Sequence, residues 1–332
     1  MTKERKKCLS PYVNLKNKLL NEIEKLKLDK NLLDDIPSKW EKHGDLVLLP
    51  ASSFQNKLWS LLGGRLWDIV SEALKCQRVA RKYTITNDNF RSPQVEILKG
   101  CDGWVLHIDN KIKYKYDITK CMFSAGNISE KLRIAQLSCK GETVVDLYAG
   151  IGYFTLPFLV HAKASLVHAC EWNPHAVEAL SKNLRLNGVK DQCIIHYGDN
   201  REVCPINVAD RVNLGLIPSS ERGWETACKA LKLSGGVLHV HGNVTSNLHP
   251  VQYDAGEKIS CPQVKPEWTV WSDYVCERMK NIFKLLYSSD WMVTVMNITR
   301  IKSYAPHIDH LVVDICCKPS ENGKDLRNNI NI

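Results

Sequence analysis

The sequence predicts an α/β protein built on a doubly wound, mostly parallel sheet with an antiparallel edge hairpin, preceded by a small α+β domain. Three observations predict this fold. Residues 121–318 alternate strand-like and helix-like segments, the front of the chain carries short alternating runs, and 332 residues suffice for about two domains. Sheets of this kind bind ligands beyond the carboxyl ends of their strands, so site residues are expected there.

The first 80 residues are expected to form a basic, mainly helical region. Apolar residues recur at helical spacing over residues 15–33, and the GDLVLLP segment predicts a short strand. Residues 54–75 predict a further helical stretch that Gly63 and Gly64 interrupt. Residues 81–120 consist of short runs separated by Gly, Asp and Asn, which predicts a small antiparallel sheet.

Three lysines alternate with three large apolar residues near the end of that sheet. The lysines are Lys111, Lys113 and Lys115, and the residues between them are Ile112, Tyr114 and Tyr116. Alternate residues of a strand face opposite sides, so the strand is expected to have one basic face and one apolar face.

Residues 121–318 carry the βα alternation that defines the larger domain. Apolar strands alternate with helices, of which the longest is predicted over residues 266–287. The last two strands are expected to pair as an antiparallel hairpin at the sheet edge. Residues 319–332 are expected to form a flexible tail.

The excess positive charge lies in the front of the chain. The protein has 45 Lys and Arg against 36 Asp and Glu, a formal net charge of +9. Residues 1–140 hold 26 basic against 16 acidic residues, whereas the remainder holds 19 against 20. A basic front indicates a polyanionic partner, although a solvated lysine-rich surface would give the same count.

Composition excludes several classes of protein. An apolar share of 44% and a charged share of 24% are those of a globular chain and exclude collagen, coiled coils and general disorder. No run reaches the roughly 18 apolar residues of a membrane helix, and no secretory signal is evident. The 13 cysteines include no C-x-x-C pair, so we expect reduced thiols, no metal site and a cytoplasmic location.

A glycine loop is the sharpest chemical motif. The sequence DLYAGIGYFT runs from Asp146 through Gly150 and Gly152 to Thr155, between a strand and a helix. Such a loop lets a ligand approach the backbone and the helix dipole. A nicotinamide dinucleotide is one alternative, but it requires a small residue where Thr155 stands. Asp146 would also repel a pyrophosphate, whereas it suits the ammonium and sulfonium groups of S-adenosylmethionine.

Acidic residues end the next two predicted strands. Glu171 can accept hydrogen bonds from both hydroxyls of a ribose. Asp199 and Asn200 can read an adenine edge, the carboxylate as acceptor and the amide as donor to a ring nitrogen. Each could alone be a strand-terminal turn residue. The ordered set of three loops favours an adenosine-containing cofactor.

Together, several segments resemble the class I S-adenosylmethionine-dependent family that modifies guanosine 37 of tRNA. They are MFSAGNISEKLRIAQL, DLYAGIGYFTLPFLVHA, CEWNPHAVEAL, LGLIPSS and KSYAPHIDHLVVD. One branch of this family comprises guanine-37 N1-methyltransferases, and the other comprises aminocarboxypropyltransferases of wybutosine synthesis. The CEWNPHAV and IPSS segments resemble the second branch.

The resemblance implies a reaction. It implies transfer of the 3-amino-3-carboxypropyl group of S-adenosylmethionine to 4-demethylwyosine at position 37 in the anticodon loop of tRNA(Phe), with release of methylthioadenosine. The protein would act as a cytoplasmic monomer, without metal, by positioning the reactants. The alternatives are N1-methylation of guanine 37 and a non-catalytic form that binds cofactor and RNA. Relatives carry more chain ahead of the matched region, so the first 80 residues are expected to be short for the family.

The resemblance also implies site residues. Ser124 and Lys131 match positions that contact S-adenosylmethionine in the family, beside Asp146, Gly150, Glu171, Asp199 and Asn200. For tRNA, we expect Lys111, Lys113 and Lys115 to contact phosphates. Arg78, Arg81 and Lys82 are further candidate cations, and Tyr114 and Tyr116 either stack on bases or pack inside the sheet.

Overall fold

A computed structural model of the chain describes residues 9–85, 90, 92–123, 125–246 and 264–320. The chain divides into two compact units. The first consists of Met1–Ile108 and Lys113–Phe123, and the second of Asp109–Ile112 and Ser124–Ile332. Each unit has its own hydrophobic core.

The first unit combines two helices with two small sheets. The helices are α1 (Pro11–Lys25) and α2 (Gly64–Leu74). The strands are β1 (Glu41–His43), β2 (Leu46–Leu49), β3 (Arg78–Ile85), β4 (Pro93–Lys99), β5 (Trp104–Asp109) and β6 (Ile112–Asp117). The first four form one sheet in chain order, in which β2 and β3 are parallel and the outer pairs antiparallel. The last two pair separately as the β5–β6 hairpin.

The first helix begins and ends earlier than the predicted span of residues 15–33. Ser10 caps it through its side chain and Pro11 occupies its first turn, which is a strong start signal. Lys27 adopts a left-handed φ of 53°, which α-helices do not accommodate. The remaining residues form a separate 3-10 turn at Lys30–Asp35.

The predicted helical interruption is confirmed, and the sheet begins earlier than predicted. A 3-10 turn at Lys57–Leu62 precedes α2, and the helical conformation is interrupted between them at Gly63, where φ is +52°. The sheet expected over residues 81–120 also includes β1 and β2, which lie in the region expected to be mainly helical. Helices and sheet share one core, to which Leu19, Val47 and Val70 contribute.

The second unit is a seven-stranded α/β sheet, which confirms the predicted fold class. Its strands are β7 (Thr143–Asp146), β8 (Leu166–Glu171), β9 (Cys193–Tyr197), β10 (Arg211–Leu214), β11 (Gly236–Thr245), β12 (Trp291–Ala305) and β13 (Ile308–Pro319). Its helices are α3 (Ile128–Ala135), α4 (Thr155–Val160), α5 (Pro174–Leu186), α6 (Asn200–Val203), α7 (Trp224–Ala230) and α8 (Pro266–Tyr287). The strand order is β12-β13-β11-β10-β7-β8-β9.

The sheet order locates the expected ligand crevice. Strands β8 and β9 lie on one side of β7, whereas β10 and β11 lie on the other, and all five are parallel. The order reverses between β7 and β10, which is where open α/β sheets bind ligands. Strand β13 runs antiparallel to both β11 and β12, so the predicted edge hairpin is confirmed.

A line of buried charges connects α3 to the middle of this sheet. The Arg133 guanidinium donates to both carboxylate oxygens of Glu130, at 2.7 and 2.8 Å, and to Asp314 at 2.7 Å. Asp314 also accepts from His239 at 2.5 Å. Burial raises the pKa of Glu130, and Arg133 opposes that shift. Burial also acts to raise the pKa of Asp314, but the hydrogen bond from His239 and the neighbouring Arg133 outweigh it, so the pKa of Asp314 is lowered. One arginine thus compensates two buried carboxylates.

We predict that Arg133→Met lowers the free energy of unfolding by about 3–5 kcal/mol, because Glu130 and Asp314 then remain buried without their cation. Urea unfolding followed by circular dichroism measures the effect. The control is Lys229→Met, which removes an exposed i,i+4 pair with Glu225 and should cost about 0.5 kcal/mol. Equal losses in the two variants would contradict the prediction.

Candidate functional site

Asp146, at the end of β7, is wholly buried and organises the glycine loop that follows it. Its carboxylate accepts hydrogen bonds from the Thr155 hydroxyl at 2.7 Å and from the Asn213 amide at 3.0 Å. Burial raises its pKa, and these two donors oppose that shift. Thr155, which departs from the dinucleotide motif, is therefore the partner of Asp146. The carboxylate holds the loop ends together, which the charge argument from sequence did not include.

The glycine loop requires glycine at Gly150. Its φ is +55°, a conformation that disfavours side chains, and a Cβ there would lie 2.5 Å from the Tyr153 ring. The Gly150 N–H donates to the Glu171 carboxylate at 2.7 Å. The loop therefore stands directly beside the end of β8.

Glu171 accepts three backbone hydrogen bonds. Besides Gly150, the N–H groups of Trp172 and Asn173 donate to it at 2.9 and 2.8 Å. Burial raises the pKa of Glu171, and the three N–H groups oppose that shift. The side chain thus joins the loops after β7 and β8, while a carboxylate retains acceptor capacity beyond three hydrogen bonds.

Asp199 and Asn200 stand at the start of α6. Asp199 accepts from the Arg201 N–H at 3.0 Å and pairs with its guanidinium, which lowers the pKa of Asp199. The Asn200 side chain donates to the Leu147 carbonyl at 3.0 Å, and its Oδ1 is buried without a hydrogen-bond partner. One of the two amide N–H groups of Asn200 is therefore used within the protein, and its Oδ1 adds an acceptor to the donor role expected from sequence. The backbone N–H of Asn200, at the first position of α6, is a further donor.

The two predicted contacts at the start of the catalytic region have different outcomes. Ser124 lies outside the described residues. Lys131 is buried, and its ammonium contacts the Asp109 carboxylate at 2.8 Å. Burial lowers the pKa of Lys131, and Asp109 opposes that shift. Sequence reasoning missed Asp109 because 22 residues separate it from Lys131.

The β5–β6 hairpin carries the three lysines, with Lys113 and Lys115 on β6 as predicted and Lys111 in the turn before it, where its φ is 64°. Lys111, Lys113 and Lys115 are exposed, whereas Ile112, Tyr114 and Tyr116 are buried. The Tyr116 hydroxyl contacts His43 at 2.9 Å and its ring stacks on Phe123. The tyrosines therefore pack in the protein, and the alternative that they stack on bases is wrong.

The other candidate cations form ion pairs within the first unit. Arg78 pairs with Asp45 and Asp102 at 2.6 and 2.9 Å. Lys82 pairs with Glu41, and Arg81 lies 3.8 Å from Glu96. Their charge is largely compensated, so they add little to an RNA-binding surface.

The sequence predicts neither a metal site nor a membrane segment. Among the described residues, no group of three or more His, Cys, Asp and Glu side chains could hold a metal ion. None of the helices in the described ranges combines the length and apolarity needed to cross a bilayer.

Comparison with known proteins identifies the family. Residues 20–103 match the TYW2 N-terminal domain, and residues 105–257 match the TRM5/TYW2 methyltransferase domain. The tRNA wybutosine-synthesizing protein 2 homolog of Bos taurus is 49% identical over 314 residues, covering 86% of this chain and 72% of the relative. The Homo sapiens homolog is 49% identical over 315 residues, with coverages of 86% and 70%.

The chain belongs to the tRNA wybutosine-synthesizing protein 2 family. Solved structures agree with this assignment. Pyrococcus horikoshii TYW2 in complex with MeSAdo is 29% identical, with a TM-score of 0.68 over 92% of this chain and all of that one. M. jannaschii TYW2 in complex with AdoMet is 28% identical, with a TM-score of 0.62 over 85% of this chain and all of that one.

The residues of this wybutosine-family site fit an adenosine-containing cofactor. Glu171 offers carboxylate oxygens for ribose hydroxyls beside the glycine loop, whose Gly150 N–H donates to the same carboxylate. The buried Oδ1 of Asn200 has no hydrogen-bond partner, which is the state of an acceptor that a bound ligand satisfies. We therefore propose Gly150, Glu171, Asp199 and Asn200 as the adenosine contacts.

We predict that Glu171→Gln weakens S-adenosylmethionine binding about tenfold or more, because the amide N–H₂ opposes at least one backbone N–H that the carboxylate accepts. Isothermal titration calorimetry measures the dissociation constant. The matched control is Glu178→Gln, on the exposed surface of α5, which should bind as wild type does. Identical affinities in both variants would remove Glu171 from the site.

Proposed function

We propose that the protein transfers the 3-amino-3-carboxypropyl group of S-adenosylmethionine to 4-demethylwyosine at position 37 of tRNA(Phe). The observation that carries this proposal is the 49% identity to tRNA wybutosine-synthesizing protein 2 homologs over most of the chain. Its partner in the reaction is tRNA, and we propose that it binds the anticodon loop of tRNA(Phe).

The ligand of a relative supports the type of transfer. P. horikoshii TYW2 binds MeSAdo, the thioether that keeps the methyl and adenosyl groups of S-adenosylmethionine. When bound, S-adenosylmethionine supplies a sulfonium-activated carbon. Attack by a carbon of the 4-demethylwyosine base on the aminocarboxypropyl γ-carbon would form a C–C bond, break the Cγ–S bond, leave the electron pair on sulfur and release methylthioadenosine. The base carbon would then lose its proton to solvent.

The protein contributes binding and orientation. The adenosine end is held by the loops after β7, β8 and β9, and we assign the amino-acid end to Ser124 and Lys131. Because the sulfonium already activates three carbons, the orientation of the base against one of them decides the product. The fold itself does not decide this, since M. jannaschii tRNA m1G37 methyltransferase shares it at a TM-score of 0.64.

The location and assembly state follow from the same proposal. We place the protein in the cytoplasm as a monomer. The eleven cysteines in the described part of the chain are all free thiols, which suits a reducing compartment.

We predict that incubation with labelled S-adenosylmethionine and precursor tRNA(Phe) yields methylthioadenosine as the small-molecule product. Liquid chromatography with mass spectrometry identifies the product. A tRNA with unmodified guanosine 37 is the control substrate and should yield neither methylthioadenosine nor S-adenosylhomocysteine. S-adenosylhomocysteine as the sole product would refute aminocarboxypropyl transfer and support methylation.

We predict that replacing Lys111, Lys113 and Lys115 together with Gln weakens tRNA binding and lowers its salt slope by about 2–3, because each phosphate contact releases a counterion. Filter binding measures both quantities. The salt concentration is varied between about 50 and 200 mM, a range over which phosphate contacts strongly change the affinity. The control replaces Lys16, Lys27 and Lys57, which are also exposed, so that net charge is matched. Equal slopes in the two triple variants would remove the β5–β6 hairpin from the interface.

A further inference from the structure

Three polar residues form a row across the part of the sheet that the cofactor contacts leave unused. Asn243 of β11 is the register partner of His310 of β13, and His310 is the register partner of Lys302 of β12. Directly opposed residues of antiparallel strands place their side chains on the same face. We call Asn243, His310 and Lys302 the polar row.

The polar row lies near the carboxyl end of β11, across the switch point from the adenosine contacts. The Asn243 N–H donates to the Pro218 carbonyl, in the loop after β10, at 2.8 Å. The Lys302 ammonium lies 3.2 Å from the Asn127 side-chain oxygen, just ahead of α3. Because the cofactor contacts follow β7, β8 and β9, the group that receives the transferred arm belongs on this opposite side.

Two acceptor atoms in the polar row have no hydrogen-bond partner. His310 is only 2% exposed, and its Nδ1 is buried and unsatisfied. The Oδ1 of Asn243, its neighbour across the strands, is likewise buried and unsatisfied. Nine buried side-chain atoms of the described residues have no hydrogen-bond partner, and these two belong to directly opposed residues of neighbouring strands. Two of them side by side indicate a ligand that carries hydrogen-bond donors.

The buried charges beneath the row favour one tautomer of His241, and through it one tautomer of His310. The Glu130 carboxylate, paired with Arg133, lies 3.7 Å from His241 Nε2. That distance is too long for a hydrogen bond, but the negative oxygen favours the tautomer with hydrogen on Nε2. His241 Nδ1 and His310 Nε2 lie 3.1 Å apart, and with this tautomer of His241 the hydrogen bond between them is donated by His310. The remaining nitrogen, His310 Nδ1, therefore carries a lone pair.

His310 stays neutral at physiological pH. Burial and the neighbouring Lys302 ammonium lower the pKa of His310 to about 4. Burial also lowers the pKa of His241, and its neighbours His310, Arg133 and His239 contribute in the same direction. The lone pair at Nδ1 therefore remains available at physiological pH.

We propose that His310 and Asn243 recognise the target base, with His310 Nδ1 and Asn243 Oδ1 accepting hydrogen bonds from N–H groups of a guanine-derived base. This inference rests on the proposed function and deepens it. Both atoms are shielded from water in the absence of a ligand, so binding of the base requires the residues around them to move. The two acceptors then regain the hydrogen bonds that burial removed, which favours a base with donors over one without.

Single-turnover transfer to precursor tRNA, at saturating S-adenosylmethionine and subsaturating tRNA, tests the proposal. We expect His310→Phe and Asn243→Leu each to lower the rate about tenfold, while Asn243→Asp, which keeps an acceptor oxygen, loses less. The affinity for S-adenosylmethionine should stay within about twofold in all three variants, as expected for residues outside the cofactor site. Thermal unfolding confirms that each variant is folded, and Asn243→Leu carries the test if His310→Phe does not fold.

The matched control is His168→Phe, which disrupts another histidine pair, His168 Nδ1 with His196 Nε2 at 2.9 Å, on the far side of β7. If the wild-type protein forms methylthioadenosine and the polar-row variants transfer as His168→Phe does, this inference is overturned and the proposed function stands. If the wild-type protein forms none, the proposed function fails and the inference fails with it.

Nitrogen-15 NMR of labelled histidines gives a readout that does not depend on activity. We expect the His310 Nδ1 resonance to be that of an unprotonated nitrogen and to shift when precursor tRNA is added. A hydrogen on Nδ1, or a chemical shift that does not change at saturating tRNA, would overturn the proposal.

Discussion

The catalytic unit depends on how it accommodates carboxylates that it buries. Asp146, Glu171, Glu130 and Asp314 are all largely removed from water, and an isolated carboxylate in that position would be strongly destabilising. Each is therefore held by hydrogen-bond donors, some of them adjacent in sequence and others from a distant part of the chain. These donors join the loop after β7 to β8, β7 to β10, and α3 to β13. The geometry of the proposed site follows from these pairings.

The same pairings separate groups that support the site from groups that face a ligand. Asp146 directs both carboxylate oxygens toward the protein, so it shapes the glycine loop. Asn200 and His310 instead keep one buried acceptor each without a partner. These atoms lie on opposite sides of the switch point, one near the proposed adenosine contacts and one near the proposed target base. An enzyme that transfers a group between two substrates needs recognition on both sides.

In the front part of the chain, too, some charged side chains support the fold and others face solvent. Its arginines at positions 78 and 81 pair with acidic residues, so they contribute structure more than attraction for RNA. The lysines of the β5–β6 hairpin are exposed and alternate with buried residues of the core. A positive net charge therefore indicates a nucleic-acid surface where the cations are exposed, as these lysines are, and not where they are largely buried, as Arg78 and Arg81 are.

By itself, the sequence determined the fold class, the order of strands and helices along the chain, and the three strand ends that are followed or closed by acidic or amide side chains. Hydrophobic periodicity and the glycine loop are local signals, and the chain that carries them can be interpreted without coordinates. Tertiary structure decided the partners. The Lys131–Asp109 pair, the burial of Tyr114 and Tyr116, the orientation of the Asn200 amide and the juxtaposition of Asn243 with His310 all join residues that are distant in sequence. Hydrogen bonds and strand register across such separations depend on packing, and no local pattern encodes them.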